Sequence, residues 1–286
     1  MKEVVVLSGK GGTGKTSIVG AFAFLAENKV IVDGDVDAAD LHLLLQPKSR
    51  EEHEFRSGQT AVIDINKCTH CGLCEQLCRF DAIHDLVVYD PSCEGCGFCA
   101  AVCPAEAITM KENLAGHWFI SDTAYGTLVH ARLGIAQENS GKLVAVVRQQ
   151  AKKIAEESGA NLIISDGPPG IGCPVISSLS GTDLALLVTE PTLSGQHDLE
   201  RVIGVCQHFG VPALVCINKY DINKDNTRSI EDYCRRQGIA ITAKIPYDSI
   251  VTEAMVQGKT VMEYRPDGTA QRIEKLWNEI AGRLAD

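Results

Sequence analysis

Short runs of branched apolar residues alternate along this chain with stretches in which apolar side chains return every three or four positions. Val4-Val5-Val6-Leu7 is an unbroken apolar run of strand length, and Ile18 to Ala26 follows it with helical spacing. Val30-Ile31-Val32 repeats the strand pattern, as do Leu162-Ile163-Ile164, Leu184 to Val188 and Val211 to Ile217. Strands apolar at every position are covered on both faces, the environment of a parallel sheet. Leu143, Val147, Ala151, Ile154 and Ala155 fall on one helical face, as do Ile273, Leu276, Trp277, Ile280 and Leu284. Strands alternating with such helices predict a doubly wound α/β fold with a mostly parallel sheet. The last helix is predicted to pack on that fold rather than on a membrane. Residues 270–286 carry no cationic excess to hold anionic lipid.

The connections carry the chemistry. Between the first strand and helix lies Ser8-Gly9-Lys10-Gly11-Gly12-Thr13-Gly14-Lys15-Thr16-Ser17, which fits GxxxxGK[ST] in its strand–loop–helix setting. Triphosphate oxygens must be met by many backbone N–H groups at close range, so side chains have to be absent. Gly9, Gly11, Gly12 and Gly14 allow that approach, and the helix N-terminus adds its positive end. Lys15 is then placed for the β- and γ-phosphates and the Thr16 hydroxyl for Mg²⁺. The second strand ends in Asp33-Gly34-Asp35-Val36-Asp37, carboxylates at the end of a parallel strand where ligands bind. Asn161 to Ser165 closes on Asp166-Gly167-Pro168-Pro169-Gly170, a second carboxylate-ended strand, with Asp166 expected to hold Mg²⁺ through water and Gly170 to sense the γ-phosphate.

From Asp64 the pattern changes to an internal repeat. Cys68-x₂-Cys71-x₂-Cys74-x₃-Cys78 recurs 25 residues later as Cys93-x₂-Cys96-x₂-Cys99-x₃-Cys103-Pro104. This is the spacing of two-cluster ferredoxins, in which the fourth cysteine of each run ligates the other cluster. Cys68, Cys71, Cys74 and Cys103 are therefore assigned to one [4Fe–4S] centre, and Cys93, Cys96, Cys99 and Cys78 to a second. The first run ends Cys78-Arg79 where the second has Cys103-Pro104, which predicts a differently exposed or poised second centre. Residues 64–112 carry eight acidic and three basic side chains, an excess that suits a basic redox partner or simply a solvated insert.

Bulk composition narrows the class. The 286 residues carry a net charge of −10, which argues against nucleic acid or anionic membrane as the main partner. No apolar run approaches a membrane span, and the four apolar residues after Glu3 are too few for a secretory leader. A cytoplasmic protein is expected, in which 12 cysteines favour metal over disulfides.

Lys10 in GKGGTGKT, followed by DGDVDAADL, resembles the deviant phosphate loop and switch I of the MinD/ParA/Mrp ATPases, a superfamily that includes the nitrogenase iron protein. The resemblance implies that ATP or ADP binds with Mg²⁺ along residues 9–17. It implies that Lys10 reaches the nucleotide of a second subunit in an ATP-state homodimer, that Asp35 positions the attacking water, and that Asp33 sits beside the Mg²⁺ bound by Thr16, Asp35 and Asp166. Asn218-Lys219-Tyr220-Asp221 is literally NKxD, the guanine-reading motif, whereas the resemblance assigns Asn218 and Lys219 to adenine and the loop at Pro246 and Asp248 to closing over it. Cys173 lies at the offset of a cluster-ligating cysteine in the nitrogenase iron protein; a buried free thiol is the simpler expectation, a dimer-axis metal site or disulfide the other.

Three segments are expected: a nucleotide domain in two parts, 1–60 and 113–286, around a ferredoxin insert at 61–112. The function implied is an ATPase that couples nucleotide state to electron transfer through two clusters. A carrier that hands iron–sulfur clusters to an acceptor protein and a positioning ATPase with structural clusters are the alternatives.

Overall fold

The structure, a computed structural model, describes residues 1–134 and 139–285; Asp286, part of the C-terminal charge balance above, lies outside them. The chain divides into two compact units. The first comprises residues 1–52, 118–132 and 140–286, and the second residues 53–117 and 133–139. The second unit thus begins before residue 61 and runs past residue 112. The polar stretch on either side of the cysteines is extended chain, and strand pairing rather than composition sets its limits.

In the first unit β1 (Lys2–Ser8) leads through the glycine loop to α1 (Lys15–Leu25), then β2 (Lys29–Asp33) and α2 (Leu41–Leu45). The chain then runs along β3 (Lys48–Ile63), and later returns along β6 (Ile108–Thr123). Between them, in the second unit, are α3 (Leu73–Leu77), β4 (Ile83–His84), β5 (Val87–Val88) and α4 (Phe98–Ala101). The first unit resumes with β7 (Gly126–Leu133), α5 (Ser140–Ser158), β8 (Leu162–Pro169), α6 (Cys173–Leu179), β9 (Leu184–Thr189) and α7 (Leu193–His208). It ends with β10 (Ala213–Asn218), α8 (Lys224–Gln237), β11 (Ala240–Ile245), α9 (Ile250–Val256), α10 (Val261–Tyr264) and α11 (Thr269–Ala285).

The sheet order is β11-β10-β9-β1-β8-β2-β7-β6-β3. β1 lies between β8 and β9, and every pairing from β11 across to β7 is parallel. Alternate residues of these strands point to opposite faces. Val4, Val6, Ile164, Leu186 and Cys216 pack with α1 and α11 on one side, while Val5, Leu7, Leu187, Val215 and Ile217 pack with α6, α7 and α8 on the other. The apolar stripe of α11 is buried within the first layer, where Trp277 meets Phe22 with ring centroids 5.0 Å apart. None of the described helices is long and apolar enough to cross a membrane. The core of the second unit is small: Ala61, Cys74, Ile83 and Ile108, with further cysteines packed against them.

Candidate functional site

β1, β2 and β8 end side by side, and their C-terminal ends gather the predicted phosphate-site residues. Asp33 and Asp166 are paired positions of neighbouring strands β2 and β8. Lys15 opens α1 with its ammonium 4.0 Å from the Asp35 carboxylate. Gly14 caps α1 at a φ of 93°, and a Cβ there would collide with the Asn218 amide nitrogen, so only glycine fits.

Asp166 is buried, and neither carboxylate oxygen has a hydrogen-bond partner. An orphaned buried carboxylate facing a phosphate loop suits a divalent cation, and its oxygen chemistry suits Mg²⁺. Burial raises its pKa to about 6; the Lys15 ammonium opposes the rise, as does the Thr16 hydroxyl, which stops short of hydrogen-bond geometry. Asp35 is also raised, by burial first, with Lys15 pulling the other way. Asp33 is raised well above the usual carboxylate range by burial and by the facing Asp166 and Asp35.

The arrangement predicts proton-linked binding. Mg²⁺ needs Asp166 ionised, so Mg-nucleotide binding at pH 5.5 should expel up to about one proton, and at pH 7.5 almost none. Calorimetry in two buffers of unlike ionisation heat reads that number directly; affinity should rise as pH passes through about 6. The same shift acts on the free protein with the opposite sense. Its contribution to stability is full below pH 3.8 and lost as pH rises through about 6, because the folded state holds a proton that the unfolded state releases.

Several assigned residues have protein partners. Asp33 accepts the backbone N–H groups of Asp35 and Leu41, both at 3.2 Å, so its carboxylate shapes the loop after β2. Lys10 turns onto its own subunit, 2.6 Å from Glu190 and 3.2 Å from the hydroxyls of Thr192 and Ser194. Lys219 reaches the same Glu190 at 3.1 Å and donates to the Gly12 carbonyl. Burial alone would raise Glu190, but the two ammonium groups outweigh it and hold the carboxyl below its usual range. Asn218 donates to the Thr13 carbonyl at 2.8 Å, bracing the phosphate loop. The Gly170 N–H is held by the Ser8 carbonyl at 2.9 Å.

Asp221 accepts the Tyr247 N–H at 2.7 Å, which ties down the loop at Pro246 and uses the oxygen a guanine reader would keep free. Asp248 caps α9 through the Ile250 N–H and takes the Thr269 hydroxyl on its other oxygen, so it is a brace of that loop. Ser17 points its hydroxyl to the Met255 sulfur at 3.5 Å.

Glu190 and Arg148 escaped the sequence reading. Arg148 of α5 forks onto Glu3 of β1 at 2.7 and 2.8 Å, and donates to the Ser180 and Ser177 carbonyls at the end of α6 and to Thr182. Cys173 also departs from expectation. It is exposed, not buried, because it opens α6 while Gly141 of α5 packs against its backbone side. Cys206, Cys216 and Cys234 are buried, and burial pushes their thiols up to about 11, 12 and 11.

In the second unit the eight repeat cysteines line two cavities. Cys68, Cys71, Cys74 and Cys103 line one. Cys78, Cys93, Cys96 and Cys99 line the other. The last cysteine of each run thus faces the cavity of the other run. Among the described residues no three Cys, His, Asp or Glu side chains converge on a single ion. Four thiols spread around a cavity fit a polynuclear cluster, whereas zinc needs them closed on one point. Backbone N–H groups already face the sulfurs: Ala82 to Cys78 at 3.4 Å, Ala107 to Cys103 at 3.3 Å and His70 to Cys68 at 3.4 Å. His70 and Gly95 are equivalent in the repeat and share a left-handed φ of 60° and 61°; a Cβ at Gly95 would strike the Gln59 carbonyl, so that position alone must be glycine.

Residues 4–261 match the family model described as the CobQ/CobB/MinD/ParA nucleotide binding domain. The chain is 36% identical over 282 residues to the uncharacterized protein MJ0578 of Methanocaldococcus jannaschii, covering 97% of this chain and 96% of that one. It is 23% identical over 286 residues to the cytosolic Fe-S cluster assembly factor nubp2 of Xenopus laevis, covering 93% and 87%. Among solved structures it is similar to the septum site-determining protein MinD of Pyrococcus horikoshii complexed with Mg-ADP, with a TM-score of 0.59 and 21% identity, covering 98% of this chain and 95% of that one. With a phosphate loop, an orphaned carboxylate and a family model over nine-tenths of its length, the chain belongs to the CobQ/CobB/MinD/ParA nucleotide-binding family and, like MinD and ParA proteins, is an ATPase.

Proposed function

We propose that this ATPase couples the nucleotide state of a homodimer to electron transfer through two [4Fe–4S] clusters held by its second unit. The observation that carries the reading is the sorting of eight thiols into two four-cysteine cavities in crossed register. Cys68, Cys71, Cys74 and Cys103 would hold one cluster and Cys78, Cys93, Cys96 and Cys99 the other. When bound, the clusters supply one-electron chemistry, tuned by the N–H groups that face their sulfurs.

On the nucleotide side, ATP is favoured over GTP because Asp221 is engaged by the Tyr247 backbone. The backbone of residues 9–17 and Lys15 would bind the phosphates, and Thr16, Asp35 and Asp166 would hold Mg²⁺, which neutralises charge on the β- and γ-phosphates. Asp35 orients the attacking water. Nucleotide can act on the rest of the protein only through groups that bind it differently in its two states. Lys10, held by Glu190, and Gly170, held by Ser8, are such groups, since each must exchange a protein partner for phosphate.

Protein purified without oxygen should contain about eight irons per chain, and Cys74→Ser should lower that count by about four while leaving nucleotide binding in place. Redox titration with and without MgATP tests the coupling. Iron at background level defeats the cluster assignment, and midpoints indifferent to MgATP defeat the coupling. The nubp2 relative favours a second reading, delivery of a cluster to an acceptor protein. Loss of iron to an apo-ferredoxin on MgATP addition would select it.

A further inference from the structure

The two cysteine cavities descend from one repeat, so residues 25 apart can be compared directly. The cavity of Cys68, Cys71, Cys74 and Cys103 is lined at the corresponding positions by Thr69, Leu73, Pro104 and Ala105. The cavity of Cys78, Cys93, Cys96 and Cys99 has Glu94, Phe98, Arg79 and Phe80 there. Two of the differences put a larger apolar ring at the second cavity, Phe98 and Phe80, and two put a charge there, Glu94 and Arg79. Leu73 and Ala105 are half-buried, whereas Phe98 and Phe80 are 51% and 44% exposed, and Leu77 beside them is 38% exposed. Two aromatic rings and a leucine are partly exposed around one cavity, where the matching Leu73, Ala105 and Val102 are half-buried, and such exposure is not what solubility favours. An apolar centre with a charged rim is the anatomy of a protein–protein contact.

We propose that the mouth of the Cys78, Cys93, Cys96 and Cys99 cavity is the docking surface for a basic electron-transfer protein, so that electrons enter or leave the cluster pair at that end. The inference rests on the two-cluster reading above. Charge identifies the partner's class. Residues 64–112 carry eight acidic and three basic side chains, and Asp81 next to Phe80 is exposed with Glu75 close by on the far side of His84. A positively charged rim is drawn to such a surface, and Arg79 against Glu94 gives the mouth one charge of each sign to fix orientation. Each event would move one electron: a reduced cluster held by these cysteines would give it up, and the partner's centre would be reduced by one.

The probe is cytochrome c, a basic haem protein whose ferric haem accepts one electron. Clusters reduced with dithionite, freed of excess reagent, are mixed with it in stopped flow. The variant carrying Arg79→Pro, Phe80→Ala, Glu94→Thr and Phe98→Leu places the first cavity's residues around the second. Its second-order rate should fall at least about fivefold, and the wild-type rate should drop with added salt. The mirror variant, Thr69→Glu, Leu73→Phe, Pro104→Arg and Ala105→Phe, should be no slower than wild type. Iron content and the electron paramagnetic resonance of both reduced clusters are read on every sample. Should the fourfold variant lose iron, Phe80→Ala alone is measured against the same criterion. A wild-type rate in an iron-replete variant, or a loss confined to the mirror variant, overturns the docking site and leaves the clusters standing. Wild-type protein without clusters overturns both.

Discussion

Arg148→Ala should lower stability by about 3–5 kcal/mol, the cost of leaving a buried charge without its partner. Glu3 is only 3% exposed, and the Arg148 fork is its main partner, with Lys152 at 3.3 Å as a partly exposed second. The same substitution frees the Ser177 and Ser180 carbonyls at the end of α6. For a protein of this length such a loss corresponds to a drop in Tm of about 10 °C, measurable by calorimetry. The pairing itself is not what stabilises. Replacing both groups, as in Glu3→Leu with Arg148→Met, should recover most of the loss, because burying two apolar side chains avoids desolvating two charges. Equal destabilisation in single and double variants would mean that the arginine matters through α6 rather than through Glu3.

Lys15→Gln should reduce ATP hydrolysis by at least about 10²-fold, the usual effect of removing one preorganised charge from a transition state. Lys15 is 5% exposed and 4.0 Å from Asp35, so the loss is of a positioned ammonium rather than of a mobile surface charge. Phosphate release under saturating MgATP reads the effect. Circular dichroism should show the fold retained. Lys10→Gln separates a second role: its hydrolysis should fall together with ATP-driven dimerisation in gel filtration, if the lysine reaches a partner subunit's nucleotide.

What the sequence disclosed followed from how local each signal is. The glycine loop, its strand and its helix are contiguous, so Val4 to Ala26 could be read whole. The cysteine repeat carried its own register, since its spacing recurs unchanged 25 residues on. β3 was invisible because Lys48 to Ile63 is mostly polar and exposed, with no apolar alternation to mark a strand. Glu3 and Arg148 sit in an apolar strand and on an apolar helix face, and nothing local announces that they meet across 145 residues. Cys173 misled for a related reason: free cysteines are usually buried, but this one opens α6 and is exposed. Asn218, Lys219 and Asp248 were expected at the nucleotide, and their partners here are backbone groups together with the Glu190 carboxylate and the Thr269 hydroxyl.

Glu190 stands between two ammonium groups, those of Lys10 and Lys219, and the second also donates to the Gly12 carbonyl of the phosphate loop. A negative charge shared in this way makes rivals of them. Whatever draws Lys10 off would leave Lys219 with undivided hold of the carboxylate, and with it a firmer grip on the phosphate loop at Gly12. A change at Lys10 would then be felt at Gly12 through the redistribution of one charge.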